Sequence, residues 1–110
     1  MQPVRELSRQ LRALASRSRL EILQILAAQK AMTVTELRGQ VHISQPLLSW
    51  HLSILRRAGL VDATKDGRQV YYAVNRSGFQ QVSQGLDDIL GTEPDADAEA
   101  ALAKQAAGSS

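Results

Sequence analysis

Gln45, Ser49 and Trp50 lie within one short stretch, Gln45-Pro46-Leu47-Leu48-Ser49-Trp50-His51-Leu52. Their side chains suit the base edges of duplex DNA. A glutamine amide can bond two sites on adenine, a serine hydroxyl can serve base edges or phosphates, and apolar groups can meet a thymine methyl. At about 100° per residue on a helix, Leu48, Leu52 and Leu55 share one side while Pro46, Trp50, Ser53 and Arg57 lie opposite. Gln45, Ser49 and Arg56 fall on one flank, Leu47 and Ile54 on the other. Leu47 and Trp50 point away from the leucine side and are costly to leave in water, which points to a DNA or protein contact. Ser44, just before them, joins this set. His51 sits at the edge of the apolar stripe and reads equally as a hydrogen-bonded boundary imidazole or a phosphate contact. Arg56 and Arg57 are open in the same way, as contacts or solvated charges. Lys65 and Arg68 flank Asp66-Gly67. As the tip of a reversal they fit phosphate or minor-groove contact better than a merely solubilised turn.

These residues need elements to hold them. Val4, Leu7, Leu11 and Leu14 form an apolar stripe at helical spacing among charged neighbours, giving a first amphipathic helix. Ser18 or a neighbouring serine caps a second helix, whose Leu20, Leu23, Ile25, Leu26 and Ala27 offer a broad buried face. Thr33-Val34-Thr35-Glu36 has the spacing of a capping box and predicts a short third helix to about Gln40. His42 and Ile43 make a tight connection, and Ser44 caps a fourth helix that tolerates Pro46 in its first turn. Gly59 follows where a left-handed residue commonly ends a helix. Val61 to Thr64 and Gln69 to Val74 are β-prone around the Asp66-Gly67 reversal, so a hairpin is expected. Phe79, Val82, Leu86, Ile89 and Leu90 predict a last helix from Ser77 to about Leu90.

The predicted fold is mainly α with a small β-hairpin wing, a winged helix-turn-helix in the order α-α-α-α-β-β-α. Residues 1–91 form the DNA-binding and dimerisation domain. Residues 92–110 are read as a flexible, acidic, Ala-rich tail with little to bury. Charge divides along the same line: 1–76 carry a net +7 and 77–110 a net −5, within a total of +2. A basic body suits a polyanionic partner. With no cysteine, disulfides, thiolate metal sites and cysteine nucleophiles are excluded. No phosphate-cradling glycine loop, metal motif or nucleophile elbow points to an enzyme, and no cofactor is expected. No apolar run reaches the roughly 18 residues of a membrane span, and the N-terminus lacks a signal-peptide stretch, so a cytoplasmic protein is expected.

Ala13 to Leu23, Ile43 to Leu52, Arg57-Ala58-Gly59-Leu60-Val61 and Gly67 to Tyr72 together resemble the ArsR/SmtB regulators. The resemblance covers most of residues 5–90. It implies a homodimer built from the first and last helices, which makes Val4, Leu7, Leu11, Leu14, Phe79, Val82, Leu86 and Ile89 the dimerisation set. It also implies repression of the protein's own operon until an effector lowers DNA affinity. Arg17 stands where such proteins often carry proline, which bears on where the second helix starts. Metal-responsive members place cysteines in the third helix, here Leu37 to His42, or Asp and His ligands across the last helices. This chain has no cysteine, Phe79 to Leu90 contains no histidine, and Asp87 with Asp88 is a poor transition-metal pair. No metal site is therefore assigned, and a small-molecule effector has no residue attached to it. The expected function is a sequence-specific, homodimeric repressor on an inverted-repeat operator. The competing reading is a winged-helix protein-interaction module anchored by Leu47 and Trp50.

Overall fold

Four serine, threonine or asparagine caps set the frame of the molecule, which a computed structural model describes over residues 3–91 and 96–108. Ser16 caps α2 (Arg17–Ala28) by accepting from the Arg19 amide, so the neighbouring serine, not Ser18, starts this helix and Arg17 is its first residue. Thr33 and Glu36 close the reciprocal capping box of α3 (Val34–Arg38), which is shorter than expected because Gly39 ends it. Asn75 accepts from the Gly78 amide and starts α5 (Arg76–Leu90) one residue before the predicted Ser77.

Before these, α1 (Val4–Leu14) runs from Pro3, and between them α4 (Gln45–Arg57) runs from its Ser44 cap. The end of α4 is a Schellman motif. Gly59 at φ +75° lets its amide reach Arg56 O and the Leu60 amide reach Leu55 O, while the Leu55 and Leu60 side chains are both fully buried. Chain direction then reverses into β1 (Val61–Asp66) and β2 (Gln69–Val74), antiparallel from Val61 opposite Val74 to Asp66 opposite Gln69. This register puts the corner at Gly67-Arg68, one residue beyond the expected Asp66-Gly67 pair. Gly67 supplies the positive φ of 64° that a two-residue hairpin needs at its first corner position.

One feature of the sheet had no signal in the sequence. Met32 pairs with Tyr72 through two backbone hydrogen bonds of 2.9 and 2.7 Å, tying the segment before α3 to the wing. The core lies where α4 meets α1, α2, α3 and β1. Ile22, Leu37, Leu48, Leu52, Leu55 and Leu60 are completely buried there. At roughly 2 kcal/mol for each fully buried aliphatic side chain, this cluster is the main apolar term holding α4 in place.

The tail differs in part from its reading. Residues 92–95, 109 and 110 of that segment, like Met1 and Gln2, lie outside the described residues. An eighth element, α6 (Ala96–Gly108), occupies the remainder, with its side chains exposed from 100 to 106. Leu102 is among them, so alanine propensity and not burial accounts for this helix. Among the described residues no helix is long and apolar enough to cross a membrane.

Candidate nucleic-acid interface

Because Leu48, Leu52 and Leu55 are spent inward, the opposite side of α4 is left to solvent. Gln45, Leu47, Ser49 and Trp50 are all exposed along it, Trp50 to 54% and Leu47 to 41%. The start of the helix is pre-set. Ser44 Oγ accepts from the Leu47 amide at 3.3 Å, and Pro46 occupies the first turn, where an amide would have no helical partner. Arg38, from the end of α3, donates to Gln45 Oε1 at 3.3 Å. That contact orients the amide and leaves its NH2 directed elsewhere. Arg38 was not singled out from the sequence, although a basic residue ending the helix before the turn was a usable sign.

His51 does not join this exposed face. It is 6% exposed, and its Nδ1 lies 3.1 Å from Arg19 Nη1. Arginine can only donate, so Nδ1 must be the acceptor and the ring proton sits on Nε2. Burial and then the Arg19 charge hold the His51 pKa below its ordinary 6.5. Of the two readings of His51, the geometry gives the hydrogen-bonded boundary imidazole. Arg19 is thus a second basic residue that sequence reasoning passed over. Its Nε also donates to Ala13 O at 2.7 Å, and its guanidinium carbon lies 5.8 Å from the Trp50 ring centroid.

The far end of α4 is held from α1. Arg9 Nη2 donates to Arg57 O at 2.7 Å, and Gln10 Nε2 to Ala58 O at 3.2 Å. The Arg57 side chain itself remains exposed, as do Lys65 and Arg68 at the hairpin tip. Arg68 stands at the corner itself. No hydrogen bond or ion pair within the described chain engages the Lys65 or Arg68 side chain. A positive, solvated tip is what a phosphate contact requires.

The predicted dimerisation set divides into three groups. Leu7 and Val82 are 3% and 6% exposed, so they belong to the core within one chain and are corrected as surface contacts. The inward face of α1 is Leu7, Gln10 and Ala13, at positions i, i+3 and i+6, with Gln10 buried as fully as any leucine. Hydrophobic periodicity passes over a polar residue in such a place. Leu14 and Phe79 are partly buried against the core. Val4, Leu11, Leu86 and Ile89 stay exposed, at 70, 37, 40 and 61%, and Leu90 joins them at 78%. An apolar groove between α1 and α5 is lined by Val4, Leu11, Ala15 and Ile89.

Asp87 and Asp88 stand on α5 with no histidine on that helix, and Asp88 accepts from Gln84 at 2.9 Å. Among the described residues no three metal-ligating side chains converge.

Comparison with known proteins agrees with this geometry. Residues 16–63, from the α2 cap into β1, match the family described as "Bacterial regulatory protein, arsR family". The chain is 36% identical over 97 residues to the nodulation protein NolR of Rhizobium meliloti, covering 88% of this chain and 79% of that protein. It is 35% identical over 85 residues to the arsenical resistance operon repressor of Staphylococcus aureus, covering 77% and 81%. Among solved structures, the homodimeric winged helix-turn-helix DNA-binding domain of a Mycobacterium bovis protein superposes with a TM-score of 0.65 at 25% identity, over 82% of this chain and 84% of that one.

Proposed function

The chain belongs to the arsR family of bacterial regulatory proteins, and on that premise we propose that it is a homodimeric repressor that reads an inverted-repeat operator. It is a transcriptional regulator with a winged helix-turn-helix fold and not an enzyme. What carries the finer reading is α4, whose buried leucines leave Gln45, Ser49 and Trp50 all exposed while its two ends are fixed by Ser44 and by α1. In the major groove, Gln45 and Ser49 bond base edges, and Leu47 and Trp50 meet thymine methyls. Lys65, Arg68 and Arg57 contact the backbone, which adds affinity and salt dependence but little sequence information.

The repressor role is supported by likeness to the staphylococcal operon repressor. Dimerisation is supported by the mycobacterial homodimer and by the exposed apolar residues of α1 and α5. Val4, Leu11, Leu86, Ile89 and Leu90 are together too much apolar surface for a free face. Two-fold pairing through them sets two recognition helices to meet successive major grooves, roughly 34 Å apart. Such a protein works in the cytoplasm.

Footprinting on DNA upstream of its own gene tests this reading. The expected result is a protected palindrome whose half-sites are one helical turn apart. Protection of a single half-site, or of no sequence at low salt, would reject the dimeric repressor.

A further inference from the structure

Arg19 lies in the first turn of α2, yet it touches the reading helix at two consecutive residues. We propose that Arg19 is the positioning residue for Trp50, so that α2 as well as α4 sets the base preference of the protein. This rests on the DNA-reading function above.

The guanidinium is anchored at three points, one through each of its nitrogens. Nε donates to Ala13 O at 2.7 Å, Nη1 to His51 Nδ1 at 3.1 Å, and Nη2 reaches Arg12 O at 3.4 Å. The two carbonyls belong to the last turn of α1, where the helix dipole is negative, and Arg12 O also accepts from the Ala15 amide at 3.3 Å. A rigid fork fixed along its edges cannot swivel, and its charge remains available to the indole 5.8 Å away. The His51 ring, itself held by Nη1, packs against the same indole at 5.1 Å and 57°. Trp50 is otherwise half exposed, with no second aromatic against it but His51 among the described residues. The guanidinium and the imidazole it holds therefore decide how the indole stands on α4. The indole in turn decides which base step it meets.

Trp50 is the chain's single tryptophan, so its emission reports this contact directly in the DNA-free protein. The test compares the full-length wild type with Arg19→Lys and Trp50→Ala. It measures tryptophan emission with acrylamide quenching, and base preference by selection from a random duplex pool. Lysine keeps the charge but cannot form the fork. We expect Arg19→Lys to raise quencher access to Trp50 and to flatten preference about threefold to tenfold at the base positions that Trp50→Ala also flattens. Affinity for unrelated duplex should stay within about twofold, because the charge is kept. If Arg19→Lys folds poorly, His51→Leu cuts the clamp from the α4 side and must flatten the same positions.

Three results would overturn the proposal. Unchanged emission with unchanged preference makes Arg19 a packing residue. An equal loss on every sequence with unchanged emission makes it a phosphate contact. Altered emission with preference intact separates the clamp from reading. A wild type that selects no sequence rejects the DNA reading itself, whereas a wild type that selects while Arg19→Lys selects identically rejects the Arg19 assignment alone.

Discussion

The reading helix and the wing carry the same kind of residue toward the same kind of partner, but they are held in opposite ways. Every part of α4 is tied: Ser44 at its start, Arg38 on Gln45, Arg19 on His51, and Arg9 with Gln10 on its last carbonyls. Among the described residues the hairpin is anchored near its base, by buried Val61, by Tyr72 and Val74 packed on the core, by the Asn75–Asp62 hydrogen bond and by the Met32–Tyr72 bridge. Among the described residues, no side-chain hydrogen bond or ion pair engages Lys65 or Arg68 at its tip, which is held by the strand ladder. The difference teaches a division of labour. Base reading needs atoms placed to within an ångström or less, and phosphate attraction does not.

Substitutions can break or sharpen that contrast. Leu52 is completely buried in the face that mounts α4, so Leu52→Ala should cost about 2–5 kcal/mol in urea unfolding. Any comparable loss from a substitution at Lys65 would erase the contrast. Gln45→Ala should cost roughly 1–3 kcal/mol on the preferred operator and almost nothing on unrelated DNA. Titration against both sequences checks it, and equal losses would place Gln45 among the backbone contacts. Ser44→Ala removes the α4 cap and should destabilise by about 1 kcal/mol, measurable by chemical denaturation. Arg68→Ala should leave stability unchanged, weaken all sequences alike and lower the salt slope of binding by about one.

The smallest effect concerns acid. Burial and Arg19 hold the His51 pKa below 6.5, so the unfolded chain takes up this proton first as pH falls. The stabilisation is complete above about pH 6.5 and is lost as pH drops through the lowered folded value. Between pH 7.5 and 5 the melting temperature of the wild type should therefore fall further than that of His51→Asn. Asparagine offers an acceptor to Arg19 without titrating, and parallel curves would take His51 out of the account.

Much of this was readable from residue order. Ser44, Pro46, three leucines and Gly59 announce the limits and the inner side of α4, because caps, first-turn proline and apolar spacing are local signals. The hairpin and its basic tip were legible for the same reason, although the corner fell one residue late. The clamp on His51 was not, since Arg19 lies 32 positions away and nothing local marks the pair. Gln10 was hidden differently. A buried amide that satisfies Ala58 O looks, in sequence, like any surface glutamine. Leu7 and Val82 were assigned to a partner because one apolar stripe cannot say which of its residues are consumed by the chain's own core. In the tail, alanine content favours a helix and the lack of anything to pack on opposes it, and α6 shows propensity prevailing over Ala96–Gly108.

A Cβ on Gly78 would sit 1.9 Å from Gly59 O, so α5 presses its backbone onto the corner that ends α4, while α1 grips the neighbouring carbonyls of Arg57 and Ala58. The two helices proposed to join the protomers are thus also the ones that hold the end of α4. With recognition helices roughly 34 Å apart, each works as an arm of about 17 Å, and a tilt of about 10° at the seam would swing it by about 3 Å. A signal arriving at the seam would then change the fit to DNA by gearing, with no bending inside either domain.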